Sequence, residues 1–238
     1  MKNVTNSGKG AGIPPLLSEN DVISNPREKA AIFNTLFAMK ASIDGSDDPV
    51  PDVPETEDST VLNMIHTDYL ELGPIIKELK WASHSPCGIP SSYIKALFNT
   101  FGAYLTKHLA RLLNSIFKAK TYPDIFKVAT ITPIYKNKGA TTDAAKFRPI
   151  SILPTLSKIT ESIIHDRLMT HLDDNNIISP AQAAYQKGDS TSQQLLYLVN
   201  KIKKTWCENK VAHAVFLDVS AAFDAVWHKG LLKKTLSY

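Results

Sequence analysis

Two carboxylates near the end of the chain, Asp218 and Asp224, lie six residues apart in AHAVFLDVSAAFDAVW, residues 212–227. The apolar run 214–217 stops abruptly at Asp218, a pattern that predicts a strand with an acid at its tip. A carboxylate at the mouth of an apolar strand is costly unless paired or bound to a cation, so the position suggests a divalent-cation site. Taken alone, Asp218 has the simpler reading of a cap on the following helix. A second group of side chains is basic: Lys136 and Lys138 precede Gly139, and Arg148 follows between Phe147 and Pro149. Lys and Arg clustered on a turn can clamp phosphates, Arg with two parallel hydrogen bonds; a solvated hairpin tip has the same composition. Asp47-Asp48 and Asp173-Asp174 have no strand feeding them, and the second pair reads as a solvated turn at a helix end. The chain has no Gly-rich phosphate loop, His-Glu-x-x-His or Gly-x-Ser-x-Gly sequence, and its seven His show no ligand spacing. Hydrolase and zinc-enzyme chemistry therefore lack support.

The elements that must carry these groups can be read from periodicity. Residues 1–20 are rich in Gly, Asn, Ser and Pro and read as a flexible lead-in. A short amphipathic helix is predicted over 27–40, where Ala30, Phe33, Leu36 and Phe37 recur at helical spacing; the acidic, Pro-punctuated stretch 42–60 reads as a linker. The folded body begins near Val61. Thr67 is a candidate cap for a helix through Leu72, Ile76 and Leu79 that Gly73-Pro74 would kink or restart. One long helix is predicted over 91–120, with Ile94 to Ile116 on one broad face. The β-branched run 128–134 and the segment from Phe147 read as the arms of a hairpin with a basic tip. Ser157 is a candidate cap for a helix ending at residues 173–176, and a further helix is predicted over 192–208. Its apolar side, with Leu195, Val199, Ile202 and Trp206, is expected to pack under the final strand.

At 43% hydrophobic residues, the 238-residue chain can build a proper core in one large or two small domains. Residues 1–60 hold 5 Lys/Arg against 10 Asp/Glu, whereas residues 61–238 hold 22 against 13, so the basic charge belongs to the body and suits a polyanion partner. Cys87 and Cys207 are far apart and fit neither a disulfide framework nor a zinc site. No apolar run reaches the length of a membrane span, and MKNVTNSGKG lacks a signal-peptide core. An intracellular protein is expected, with nucleus and cytoplasm not distinguished and no membrane partner.

The ordered set TPIYKNKG, KFRPISILPTLSKITESIIHDRL, QAAYQKGDST and VFLDVSAAFDAVWH resembles the reverse transcriptase of non-LTR (LINE-type, jockey-like) retrotransposons, over roughly residues 68–238. Group II intron and retroviral enzymes share the metal chemistry but not Ala-Phe-Asp-x-Val-x-His, present here as residues 222–228. The resemblance implies an α+β fold: the fingers (about 61–210) and the start of the palm (about 211–238) of a right-hand polymerase, truncated before the second acidic palm motif. Residues 1–60 would be a flexible acidic segment and linker with one short helix. It implies RNA-directed DNA polymerase chemistry, with Asp218 catalytic and, helped by the carbonyl of Val219, a ligand of two Mg²⁺ ions that align the 3′-oxygen and the triphosphate. By the same resemblance Lys136 and Arg148 contact the triphosphate, and Gln182 lies by the nucleotide pocket. Phe223 sits beneath the sugar, where its ring would collide with a 2′-hydroxyl. Lys138, Lys187, Ser190 and Thr191 lie along the nucleic acid. The implied partners are template RNA, a DNA primer or target, and deoxynucleoside triphosphates.

The chain departs from the family pattern at several positions. Ala184-Tyr185-Gln186 stands where Gly-Phe-Arg is usual, Ala221 where Lys is common, and Cys87 where Asp precedes Gly-Ile-Pro. The family's upstream endonuclease and its downstream Asp-Asp hairpin, palm and thumb are absent from this chain. The fragment alone is therefore expected to be inactive. The alternative is a catalytically dead retroelement relic that binds RNA or DNA through basic fingers, and an unstable remnant is the blandest outcome.

Overall fold

The computed structural model describes residues 12–18, 21–41, 49, 50, 52, 62, 65–82, 85–219 and 222–236. The acidic linker falls outside them apart from residues 49, 50 and 52, and Ala221 falls outside them too. Helix and strand are mixed, as the α+β expectation has it. No helix among the described residues is long and apolar enough to cross a membrane.

Four helices hold the main core: α2 (Tyr69–Glu78), α3 (Ser91–Phe101), α4 (Ala103–Ala119) and α6 (Thr155–Asp174). Asp68, not Thr67, caps α2, accepting a hydrogen bond from the Leu70 amide at 2.9 Å. Thr67 is instead buried and donates to Glu71 at 2.9 Å, while Arg167 of α6 donates to the same carboxylate oxygen at 2.8 Å. The helix runs through Pro74, which lacks the amide that would bond the Leu70 carbonyl. The long helix expected over 91–120 is two helices. Gly102 breaks it at φ 44°, ψ −115°, a backbone state open to glycine because no Cβ obstructs it. Leu72, Ile76, Ile94, Leu109, Leu113, Ile159 and Ile163 are buried together between the helices. Each such side chain contributes roughly 1.5–3 kcal/mol by leaving water. Helix α6 begins two residues before Ser157, at Thr155, whose hydroxyl donates to the Ile89 carbonyl at 2.8 Å.

The predicted hairpin is present: β3 (Thr130–Tyr135) pairs antiparallel with β4 (Phe147–Ile152), Tyr135 facing Phe147 and Pro133 facing Pro149. The short helix α5 (Asp124–Lys127) leads into it. The amide of Lys136 donates to the Lys146 carbonyl at 2.8 Å, which extends the ladder to the turn. Gly139, at φ 89°, closes that turn, and Asp143 caps a 3₁₀ turn at Ala144–Lys146. The stretch read as a lead-in supplies β1 (Leu16–Ser18), which pairs with β2 (Asp21–Ile23). Helix α1 (Pro26–Ala41) follows as expected, and its Phe33 meets Phe147 edge-on with ring centroids 5.1 Å apart. Leu16, Phe33 and Phe147 form a second small core.

Helix α7 (Thr191–Cys207) matches the predicted span to within a residue, but none of its side chains is buried. The strand expected over 214–217 does not form: residues 211–219 carry no regular structure, and Leu217 is 91% exposed. The packing of α7 beneath that strand is corrected with it, since Leu195, Leu196 and Trp206 face solvent. A strand exists only as half of a ladder, and apolar sequence cannot hold one without a neighbour to share its amides. The described chain ends in α8 (His228–Leu236).

Candidate functional site

The hairpin β3–β4 sorts its side chains onto two faces, because directly opposed residues of an antiparallel pair share a face and alternate along each strand. Tyr135 and Phe147, opposed in the register, lie on the face that packs on Phe33, their rings 5.6 Å apart. Ile134 opposes Arg148 and, one step further, Lys136 opposes Lys146; these occupy the other face. Three cations thus share one outward surface. Lys136 donates from Nζ to the Ala145 carbonyl at 3.0 Å, and Lys146 lies 3.8 Å from Asp143. Arg148 is exposed and makes no ion pair among the described residues, so its guanidinium is open to an anion. Lys138 is exposed on the turn beyond them, and the Tyr135 hydroxyl donates to the Gly139 carbonyl.

Gln182 and Lys187 border one shallow cavity of about 280 Å³, together with Asp173 and Asp189. The Gln182 amide donates to the Ala184 carbonyl at 3.4 Å. Ser190 caps α7, its hydroxyl oxygen accepting from the Gln193 amide at 3.3 Å, and Thr191 is the first residue of that helix. A cap of this kind explains the Ser-Thr pair locally, with no ligand required. Tyr185, at φ 62°, meets Phe223 edge-on with centroids 5.9 Å apart, which joins the 182–191 segment to the Ala-Phe-Asp stretch. Sequence reasoning counted Tyr185 as a departure and missed this contact. The available signal was that the replacement kept an aromatic ring.

Asp218 and Val219 are exposed in the irregular segment, and Asp218 makes no side-chain hydrogen bond or ion pair among the described residues. No group of three or more His, Cys, Asp or Glu among those residues could hold a metal ion. A pair of divalent ions needs several hard oxygen ligands on a rigid frame. The described residues offer one exposed carboxylate at the expected place, which does not fit such a pair. Cys87 lies at the turn before α3, beside the Ser85 hydroxyl at 3.4 Å. Burial pushes its thiol up, yet hydrogen bonds from Ser85 and nearby backbone outweigh that and leave it below its usual value.

Residues 134–238 match the family model described as reverse transcriptase (RNA-dependent DNA polymerase). The chain is 37% identical over 126 residues to the RNA-directed DNA polymerase from mobile element jockey of Drosophila melanogaster, covering 53% of this chain and 14% of that protein. From the same fly, the probable RNA-directed DNA polymerase from transposon BS is 34% identical over 127 residues, with the same coverage. That from transposon X-element is 31% identical over 132 residues, covering 54% and 14%. The chain spans about one seventh of the length of the curated relatives it matches.

Proposed function

We propose that this chain, whose residues 134–238 are part of a reverse transcriptase domain of the jockey-like kind, works in RNA-directed DNA synthesis by holding nucleotide and polynucleotide phosphates on the outward face of hairpin β3–β4. The observation that carries the proposal is the gathering of Lys136, Lys146 and Arg148 on that face, within the matched segment. Arg148 takes the triphosphate with its paired donors and Lys136 adds a point charge beside it. Lys138, Lys187, Ser190 and Thr191 follow the template or primer strand, Gln182 borders the nucleotide, and Phe223 selects against a 2′-hydroxyl. In this reading residues from about 61 to 210 are fingers and the palm starts near 211. Asp218 and the Val219 carbonyl would hold Mg²⁺ only together with hard oxygen ligands that the described residues do not gather, and such an ion would supply charge neutralisation at the transferring phosphate.

Binding of a fluorescent deoxynucleoside triphosphate and of a primed RNA template to the purified chain tests this reading. Arg148→Ala is expected to weaken nucleotide binding about tenfold, in line with the loss of a charge-assisted hydrogen bond worth ~1.5–3 kcal/mol. Equal binding by both proteins would count against it. A second reading, polynucleotide binding without chemistry, is favoured by the exposure of Asp218 on an irregular segment, where the described residues gather no group of three or more His, Cys, Asp or Glu. Primer extension separates the two: the 238-residue chain alone is expected to add no nucleotides, and Mg²⁺-dependent extension that Asp218→Ala abolishes would remove the second reading.

A further inference from the structure

Between Glu78 and Asp124 the chain has no acidic residue, yet it has six Lys and Arg. This stretch includes α3 and α4 and lies outside the matched segment. Along α4, Tyr104, His108, Arg111, Ser115 and Lys118 recur three or four residues apart and are all exposed, so they form one stripe on the helix face opposite Thr106, Leu109 and Leu113. Tyr104 is 67% exposed, and its ring meets His108 edge-on with centroids 4.5 Å apart. Across the Gly102 break, Phe101 is 55% exposed, and Phe101, Tyr104, Leu105 and His108 line a concavity of about 390 Å³. One turn away, Lys107 holds its ammonium 5.3 Å from the Tyr69 ring centroid.

We infer that the Phe101–Tyr104–His108 concavity and the Arg111–Lys118 stripe of α4 form a second nucleic-acid site, which takes single-stranded RNA by stacking a base on the rings and pairing the following phosphates with the cations. The inference deepens the proposed function by adding a contact for the same strand, and it rests on that reading for the strand being RNA. Charge complementarity selects the occupant. A protein partner covering exposed rings would meet an interface core from which charges are depleted, whereas these rings are flanked by Arg111 and Lys118, which make no ion pair among the described residues. A single strand presents flat faces and regularly spaced anions together, and duplexes hide the faces. From Tyr104 to Lys118 the helix advances about 21 Å at ~1.5 Å per residue, room for several nucleotides of an extended strand.

The test is photocrosslinking of a 12-nucleotide single-stranded RNA carrying 4-thiouridine to the 238-residue chain, with crosslinked peptides mapped by mass spectrometry and affinity followed by anisotropy. Crosslinks within residues 101–111, and an affinity about tenfold weaker in Tyr104→Ala/His108→Ala, are expected. Arg111→Gln/Lys118→Gln should lower the salt slope by roughly 0.7 for each charge removed. All four side chains are exposed, and circular dichroism is recorded on each variant to check that it keeps its helices. Crosslinks confined to residues 136–148, an unchanged affinity in both variants, a preference for duplex RNA, or no binding at all would each overturn the inference. Lys136→Ala/Arg148→Ala is run alongside. Should it leave binding intact while the α4 variants weaken it, the hairpin reading fails and the α4 site stands.

Discussion

Tyr122 ties the loop after α4 to α6 through its hydroxyl, which meets Ser157 Oγ at 2.9 Å and Glu161 at 3.2 Å, while Ser157 donates to the same carboxylate at 3.0 Å. Burial raises the phenol above its usual value near 10, and the charge of Glu161 adds to the rise, against the Ser157 hydrogen bond. The folded state therefore keeps its proton at a pH where the unfolded chain has lost it. The stability this provides is complete below pH 10 and disappears as pH climbs through the raised value. Tyr122→Phe is expected to cost about 1 kcal/mol at neutral pH and to flatten the alkaline fall in stability. Urea midpoints measured from pH 9 upward check this, and parallel curves for the two proteins would refute it. Such roles are hard to read in sequence. Ser157 and Thr67 both look like helix caps, because capping is what an isolated hydroxyl before an apolar run most often does. Both are drawn inward by partners far along the chain, Tyr122 for one and the Asn114 side chain for the other, which accepts from the Thr67 amide at 2.9 Å.

Two helices with equally regular apolar stripes illustrate what an element's pattern can tell. Leu113 of α4 is fully buried, whereas Leu196 and Trp206 of α7 face solvent. Leu113→Ala should cost about 2–5 kcal/mol through lost burial and the cavity left behind. Leu196→Ala and Trp206→Ala should stay within about 0.5 kcal/mol. Thermal denaturation of the three variants decides the matter, and a large loss from the α7 changes would mean that the helix packs in solution. Periodicity made the existence of α1, α4, α6 and α7 legible, and β-branched residues followed by a basic Gly turn did the same for β3 and β4. The break at Gly102 was hidden because the apolar stripe continues across it, and a lone glycine does not announce a positive φ. The strand at 214–217 was misjudged for a different reason. Its propensity is local, but its hydrogen-bond partners have to come from elsewhere.

At the scale of the molecule, packing is concentrated in the four-helix core and in the cluster of Leu16, Phe33 and Phe147; beyond residue 190 few described side chains are even half-buried. Regions with few buried contacts open at little cost, so trypsin should cut first at Lys201, Lys203, Lys204 and Lys210 and later at Lys107 and Arg111. Mass spectrometry of the early digest checks the order, and simultaneous cleavage in α4 and α7 would contradict it. The likeness of residues 134–238 to reverse transcriptases was legible because four short motifs in order carry it. The state of Asp218 was not, because a metal site is a meeting of distant segments and one motif cannot report whether the others arrive. The hairpin's register carries a last consequence. Since the Lys136 amide donates across the hairpin to the Lys146 carbonyl, alternation makes Pro133 and Pro149 a pair whose nitrogens point outward, one to each rim. Neither nitrogen bears a hydrogen. A third strand laid along either rim would find its donor missing at the same level, which weakens pairing of the ribbon with its own likeness in another copy.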